Sequence, residues 1–487
     1  MLEWLTWSAA WAAFVFVIDM TIRITAIMFV PPGRRPTSAM AWLLLIFFLP
    51  VPGVLLFLLI GNPRLPKKRR EVQSEVNSFL HAANDSLELG TLLPNPPEWF
   101  ESIVDMNRKL GALPLSGDNG ARLISDYHES IRAMTEAVRG AQRYVHIEFY
   151  ILKADAATED FFVAMEEAIA RGVPVRVLMD HWANLSKPLH RQTKERLTRM
   201  GADWHLLLPL QPLARKFQRP DLRNHRKLLV VDGDVAFLGS QNLTDPTYNV
   251  PKNIRRGLQW VDLMVRLDGP VVRSVDAVFL TDYYSETNEV PDGIDLAEVT
   301  AGSDDYDCQV VPSGPGFESE NNLQLFLSLL YAAQERAIMV SPYFVPDEAL
   351  LRAVSGAAAR GVQVDLFVSE TSDQAIVYHA QRSYYETLLR AGVNIWQYRA
   401  PFILHTKSLS IDDETAVIGS SNMDMRSFGL NFEASLLVRG REFVDELRDV
   451  EELYRQNSTL LTLEEWLKQP LRSRALDNLA RLTSALQ

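Results

Sequence analysis

Residues 224–242 read NHRKLLVVDGDVAFLGSQN, and the reading of this stretch decides the fold. His225 is followed by Lys227, Asp232, Gly239, Ser240 and Asn242, at two, seven, fourteen, fifteen and seventeen residues. Residues 405–422, HTKSLSIDDETAVIGSSN, repeat those offsets with His405, Lys407, Asp412, Gly419, Ser420 and Asn422. A lone His-x-Lys on a strand is ordinary, but six matched positions in two copies are a strong signal. His225 and Lys227 lie two apart on an apolar strand that continues through Val231, so both emerge on one face. An Asp-Gly turn and a second apolar run, Val235 to Leu238, complete a hairpin. Gly239 and Ser240 admit close backbone approach, and Asn242 can return beside the lysine. An imidazole, an ammonium and an amide together suit a phosphate, offering one nucleophile and two donors for its oxygens. In-line displacement at phosphorus needs a nucleophile on one side and a proton donor on the other, hence two facing copies. Asp232 and Asp412 fall at the turns, where they can buttress the backbone.

The doubled His-x-Lys-x4-Asp-x6-Gly-Ser-x-Asn motif resembles the phospholipase D superfamily. The phrase Asn422-Met-Asp-Met-Arg-Ser-Phe-Gly-Leu-Asn-Phe-Glu433, with two apolar segments at the front, resembles the bacterial cardiolipin synthases within it. The resemblance runs from Ala39-Met-Ala-Trp-Leu-Leu-Leu to about Leu471. It implies an α/β fold of two pseudo-twofold-related lobes, each a mixed sheet flanked by helices, with both motifs at the seam. It counts His225, Lys227, Asp232, His405, Lys407 and Asp412 as the catalytic set. Ser240, Asn242, Ser420 and Asn422 would support the phosphate. It also gives an acid the task of fixing the histidine tautomer. Asp262, 37 residues past His225, and Glu433, 28 past His405, fit that task, since each is a carboxylate inside an apolar strand. The reaction implied is phosphatidyl transfer between two phosphatidylglycerol molecules through a phosphohistidine, giving cardiolipin and glycerol. A hydrolase, or a transferase to a different alcohol, shares the same machinery.

The rest of the chain is consistent with a second copy of the domain. Ala-Arg-Gly-Val occurs at 170–173 and at 359–362, each after a helical pattern and before a strand. A spacing of about 190 residues is too long for a solenoid and means a duplicated domain. Strands alternating with helices predict an α/β sheet. The expected division is 1–70 as two transmembrane helices with a basic juxtamembrane segment, 71–115 as a linker with a short helix, 116–300 as the first lobe, and 301–487 as the second with an amphipathic tail.

Residues 4–30 and 39–60 are the longest apolar stretches, each long enough for a hydrocarbon layer that takes ~20 helical residues. Pro50, Pro52 and Gly53 should kink the second, and Asp19 and Arg23 should pair within the first. Arg34 and Arg35 lie between the stretches, while Arg64, Lys67, Lys68, Arg69 and Arg70 follow the second. The excess predicts a plasma-membrane protein with cytoplasmic N-terminus and lobes. A net charge of −12 over 487 residues argues against a nucleic-acid partner. The single cysteine, Cys308, excludes an internal disulfide framework, and no His/Cys/Asp/Glu spacing suggests a metal. The two-histidine scheme needs no cofactor, and the sequence leaves the oligomeric state open. Arg215, Lys216 and Arg219, after the apolar run at 206–213, are candidates for contact with anionic lipid; leucines packed under the first lobe are the alternative.

Overall fold

The computed structural model describes residues 2–32, 34, 36–61, 71, 89–185, 187–211, 216–217, 219, 221–292, 302–317 and 320–482. The chain divides into two compact units, 1–64 with 219–221, and the remainder. The basic residues at 64–70, and Arg35, lie outside the described residues.

In the first unit, helix Leu2–Phe29 contains a segment, Trp11–Phe29, long and apolar enough to cross a membrane. Its Asp19 and Arg23 pair at 2.8 Å, one turn apart. The second apolar stretch departs from expectation. Instead of one kinked span it forms helix Pro36–Phe48, helix Pro50–Leu56 and a π-helical turn Phe57–Gly61. These arms fold back on each other. A Cβ placed on Gly53 would lie 2.9 Å from the Cα of Ile46, whereas seven residues of straight helix separate Cα atoms by ~10 Å. The rings of Trp42 and Phe57 meet edge to face at 5.4 Å. The Arg34 guanidinium lies 4.7 Å from the Phe57 ring centre and donates to the Gly61 carbonyl at 2.6 Å. Leu49 leaves helical geometry (φ −132°, ψ 74°). Pro50 and Pro52 have no N–H to continue the ladder from the preceding turn, while Pro50 is suited to start a new helix.

The second unit is built on one 16-stranded sheet, fifteen strands in a single path and the short strand Arg223–Asn224 off it. The first lobe contributes β1 (Leu115–Ile124), β2 (Val145–Phe149), β3 (Val175–Asp180), β4 (Asp203–Leu207), β5 (Lys227–Val231), β6 (Val235–Gly239) and β7 (Met264–Asp268). The second contributes β8 (Tyr306–Ser313), β9 (Arg336–Val340), β10 (Gln363–Ser369), β11 (Asn394–Tyr398), β12 (Ser408–Ile411), β13 (Thr415–Gly419), β14 (Asn431–Arg439) and β15 (Ser458–Leu461). The order is β15-β11-β10-β9-β12-β13-β14-β8-β1-β7-β6-β5-β2-β3-β4. Read outward from the antiparallel β1–β8 seam, the halves match strand for strand, with β15 added at one edge. The duplicated motif is therefore a duplicated half-sheet. Helices Val271–Thr287 and Arg441–Gln456 pack in a core shared by both lobes. Each lobe has its own core on the other face.

The repeated residues explain why the local structure repeats. Asp232 accepts the backbone N–H groups of Gln142, Arg143 and Tyr144 at 2.6–2.9 Å. Asp412 does the same for Gln334, Glu335 and Arg336 at 2.8–3.1 Å. Each carboxylate thus ties its hairpin to the entry of the neighbouring strand. Arg171 and Arg360, from the two Ala-Arg-Gly-Val segments, donate to carbonyls at the preceding helix ends, at 2.9 Å on Arg139 and 2.8 Å on Leu330. The stretch read as a linker holds helix Phe100–Lys109, whose Phe100, Ile103 and Val104 are buried in the second lobe's core.

Candidate active site

The two histidines reach the seam by the same device. The short strand Arg223–Asn224 runs parallel to Asn431–Phe432 of β14, and the next N–H, of His225, donates to the Phe432 carbonyl at 2.8 Å. Glu433 is one residue further on. Correspondingly, strand Phe402–Leu404 runs parallel to Gln259–Val261, His405 N–H donates to the Val261 carbonyl at 2.7 Å, and Asp262 follows. The pairing of acid with histidine is therefore crossed between lobes. His225 Nδ1 lies 3.0 Å from both Glu433 carboxylate oxygens, and His405 Nδ1 lies 2.7 Å from Asp262 Oδ1. Each Nδ1 meets acceptors alone, so it carries the proton and leaves Nε2 as the basic, reactive nitrogen.

The serines hold the acids. Ser240 Oγ donates to Asp262 Oδ1 and Ser420 Oγ to Glu433 Oε2, each at 2.6 Å. Lys227 and Lys407 are buried, and each ammonium donates to the carbonyl of its own histidine. Asn242 turns its Oδ1 to the Ile151 N–H (3.0 Å) and donates Nδ2 to the Tyr248 hydroxyl (2.8 Å). Asn422 Oδ1 is buried with no hydrogen-bond partner among the described residues. Asp232 and Asp412 do not join this group; they sit at the far ends of β5 and β12, engaged with backbone amides. Placing them in the catalytic set is corrected accordingly.

Burial governs the electrostatics. It lowers His225 to about 4, against the opposing pull of Glu433, and His405 to about 3, with Lys407 adding to the depression. Burial also pushes the Lys227 ammonium well down and brings Lys407 to about 7, although Asp262 and Glu433 oppose this. For the acids, burial favours the neutral form, but the histidine partners outweigh it, and both carboxyls stay below the usual range. Burial thus favours neutral imidazoles and weakens the hold of both lysines on their protons, while the acids are kept ionised; a bound phosphate would favour the ammonium forms.

Several residues beside His225 carried no motif signal. The Tyr150 ring packs edge-on against the imidazole with centroids 4.7 Å apart, and its face lies 5.2 Å from the Lys227 ammonium. Asn224 Nδ2 donates to Glu148 and Asp282, both at 2.8 Å, and Arg226 binds Asp282 and the Glu433 carbonyl. Burial, reinforced by Asp282, raises Glu148 well above the usual carboxylate value. In the second lobe, Thr406, which matches Arg226, shares a hydrogen bond with Tyr454. Glu148, an acid within the apolar strand Tyr144–Tyr150, was the sequence feature that could have pointed here.

Two basic residues of the segment before His225 are paired with acids. Arg219 pairs with Asp221 (Nε–Oδ1, 2.9 Å), and Arg223 is buried against Asp180 at 3.4 Å. Leu208 and Leu222 form a small core with Phe432. Arg215 and the Lys216 side chain lie outside the described residues. Among the described residues no cluster of three or more His, Cys, Asp or Glu has the arrangement of a metal site.

Comparison with known proteins agrees with this geometry. A family described as "Cardiolipin synthase, PLD-like domain" matches residues 134–254 and 326–452, one segment in each lobe. Cardiolipin synthase A of Proteus mirabilis (strain HI4320) is 31% identical over 496 residues, covering 100% of this chain and 99% of that protein. Cardiolipin synthase A of Yersinia pseudotuberculosis serotype IB (strain PB1/+) is 32% identical over 502 residues, covering 99% and 98%. The crystal structure of phosphatidylserine synthase from Haemophilus influenzae Rd KW20 shares the fold, with TM-score 0.58, 15% identity, and coverage of 75% of this chain and 95% of that one. The chain is a phosphatidyltransferase and belongs to the cardiolipin synthase family with phospholipase D-like domains.

Proposed function

We propose that the enzyme joins two phosphatidylglycerol molecules into cardiolipin and glycerol, with a phosphatidyl-histidine between two displacement steps. The observation that carries this reading is the crossed pair of histidines, each with Nδ1 held by an ionised acid and Nε2 left to react. His225 Nε2 attacks phosphorus; the P–O bond to the departing glycerol breaks as the P–N bond forms. His405 gives that oxygen its proton. Its low intrinsic pKa means that the charged form depends on the phosphodiester's own negative charge entering the site. In the second step a terminal hydroxyl of another phosphatidylglycerol attacks phosphorus, His405 takes its proton, and the P–N bond breaks. One phosphodiester replaces another, so no nucleotide is consumed.

Lys227, Lys407, Asn242 and Asn422 hold the non-bridging oxygens, whose charge grows toward each transition state. Ser240 and Ser420 act through the acids they orient. The substrates are lipids, and the apolar helix Trp11–Phe29 supports a membrane location. Purified enzyme in phosphatidylglycerol vesicles should give cardiolipin and glycerol in equal amounts. Phosphatidic acid as the sole lipid product would make it a hydrolase instead.

A further inference from the structure

Beside the catalytic Asn242 stands a group of polar side chains that the transfer scheme leaves unused. Asn242 Nδ2 donates to the Tyr248 hydroxyl, and the Lys187 ammonium lies 5.7 Å from the centre of that same Tyr248 ring. Lys153 is buried close by. Its ammonium donates at 2.9 Å to the Asn184 carbonyl, which also receives the Lys187 backbone N–H at 3.2 Å. The Asn184 side chain in turn binds the carbonyl of Tyr150, the ring against His225. From the second lobe, the Tyr343 hydroxyl donates to Asp373 at 2.8 Å.

Neither lysine forms an ion pair among the described residues. Asp373 is the carboxylate that acts on Lys187 electrostatically, while burial and Lys187 bring Lys153 down to about 7 against the pull of Asp155. Asp155 Oδ2 is itself taken up by Thr244, the Asp245 N–H and Asn249 at 2.8–2.9 Å, so the half-buried Lys187 ammonium is left without a paired negative charge among the described residues, which is costly. A phosphodiester monoanion would supply that charge.

The transfer reaction brings in such an anion. The donor's phosphate occupies the histidine–lysine site, but the acceptor has a phosphodiester of its own, one glycerol away from the attacking hydroxyl. Two phosphates in one cleft repel unless the second finds its own cations. We infer that Lys187, backed by Lys153, binds the acceptor lipid's phosphodiester, and that Asp373 accepts a hydrogen bond from its glycerol hydroxyl. This subsite rests on the transfer reading and adds to it a basis for choosing a lipid over water or a simple alcohol.

The test is competition between two acceptors, using the full chain in detergent with short-chain phosphatidylglycerol and ethanol. Cardiolipin and phosphatidylethanol then form from one phosphatidyl-enzyme, so their ratio reports the acceptor alone. Lys187→Gln should lower the cardiolipin-to-phosphatidylethanol ratio at least tenfold, and Lys187→Arg should restore most of it. Asp373→Asn should raise the KM for phosphatidylglycerol as acceptor more than it lowers kcat. Lys187 is partly exposed, so its variants should fold, and a thermal melt checks this. An unchanged ratio in Lys187→Gln, or both products falling in parallel, overturns the subsite. Wild-type enzyme that makes phosphatidylethanol but never cardiolipin overturns the lipid-acceptor reading itself, and the subsite with it.

Discussion

An ammonium buried as deeply as that of Lys407 gives up its proton readily, and this sets a limit on the pH range of the site. Its pKa is lowered to about 7, so the charged form is present below that pH and lost above it. kcat/KM, which reports the free enzyme, should therefore fall as pH rises through about 7. kcat should hold to higher pH, because bound phosphate favours the ammonium. The histidines, neutral above about 4, should add no acid limb near 6.5. A pH series under kcat/KM and saturating conditions checks both statements. Replacing either histidine removes one of two partners in each displacement, so His225→Ala and His405→Ala should each abolish turnover with the fold intact. Retention of more than about a tenth of the rate, a barrier change under ~1.4 kcal/mol, would contradict the paired mechanism. The matched offsets made His225, Lys227, His405 and Lys407 legible in the sequence. They could not reveal that Asp262 serves His405 and Glu433 serves His225, because that exchange depends on strands of two and three residues crossing the seam.

At the scale of elements, Asp232 and Asp412 show how a motif residue can be constant in spacing yet structural in role. Each ends a strand in left-handed backbone (φ 59° and 47°) and gathers three N–H groups from the neighbouring strand's entry. Asp412→Ala would leave those donors without a carboxylate and should cost about 1–3 kcal/mol of stability. Urea unfolding measures the loss; the folded fraction should keep kcat within a factor of about three, a small change in barrier terms. The packing of the helix Phe100–Lys109 was hidden for a related reason. Its apolar face, Phe100, Ile103 and Val104, is short, and the core that it completes lies more than two hundred residues downstream. Local pattern announces an amphipathic helix but not the surface against which it packs.

At the scale of the molecule, the duplication was visible because Ala-Arg-Gly-Val and the histidine hairpins recur in order, whereas the single sheet was not. The β1–β8 seam and the shared core around Val271–Thr287 and Arg441–Gln456 make the lobes one body, with each histidine completed by the opposite lobe. The N-terminal apolar segments were legible by length, but length does not register a reversal. Pro36–Gly61 doubles back until Arg34 touches Gly61, so its two ends lie together. Its arms of 13 and 12 residues are shorter than the ~20 that a crossing takes. The prediction is a single crossing, by Leu2–Phe29. On that prediction the N-terminus and the chain beyond Gly61 are reached from opposite sides, in place of the shared side that two spans would give. With Cys308 replaced by serine, single cysteines at Glu3 and Leu92 should react with an impermeant maleimide from opposite faces of sealed vesicles; labelling of both from one face would restore the double crossing.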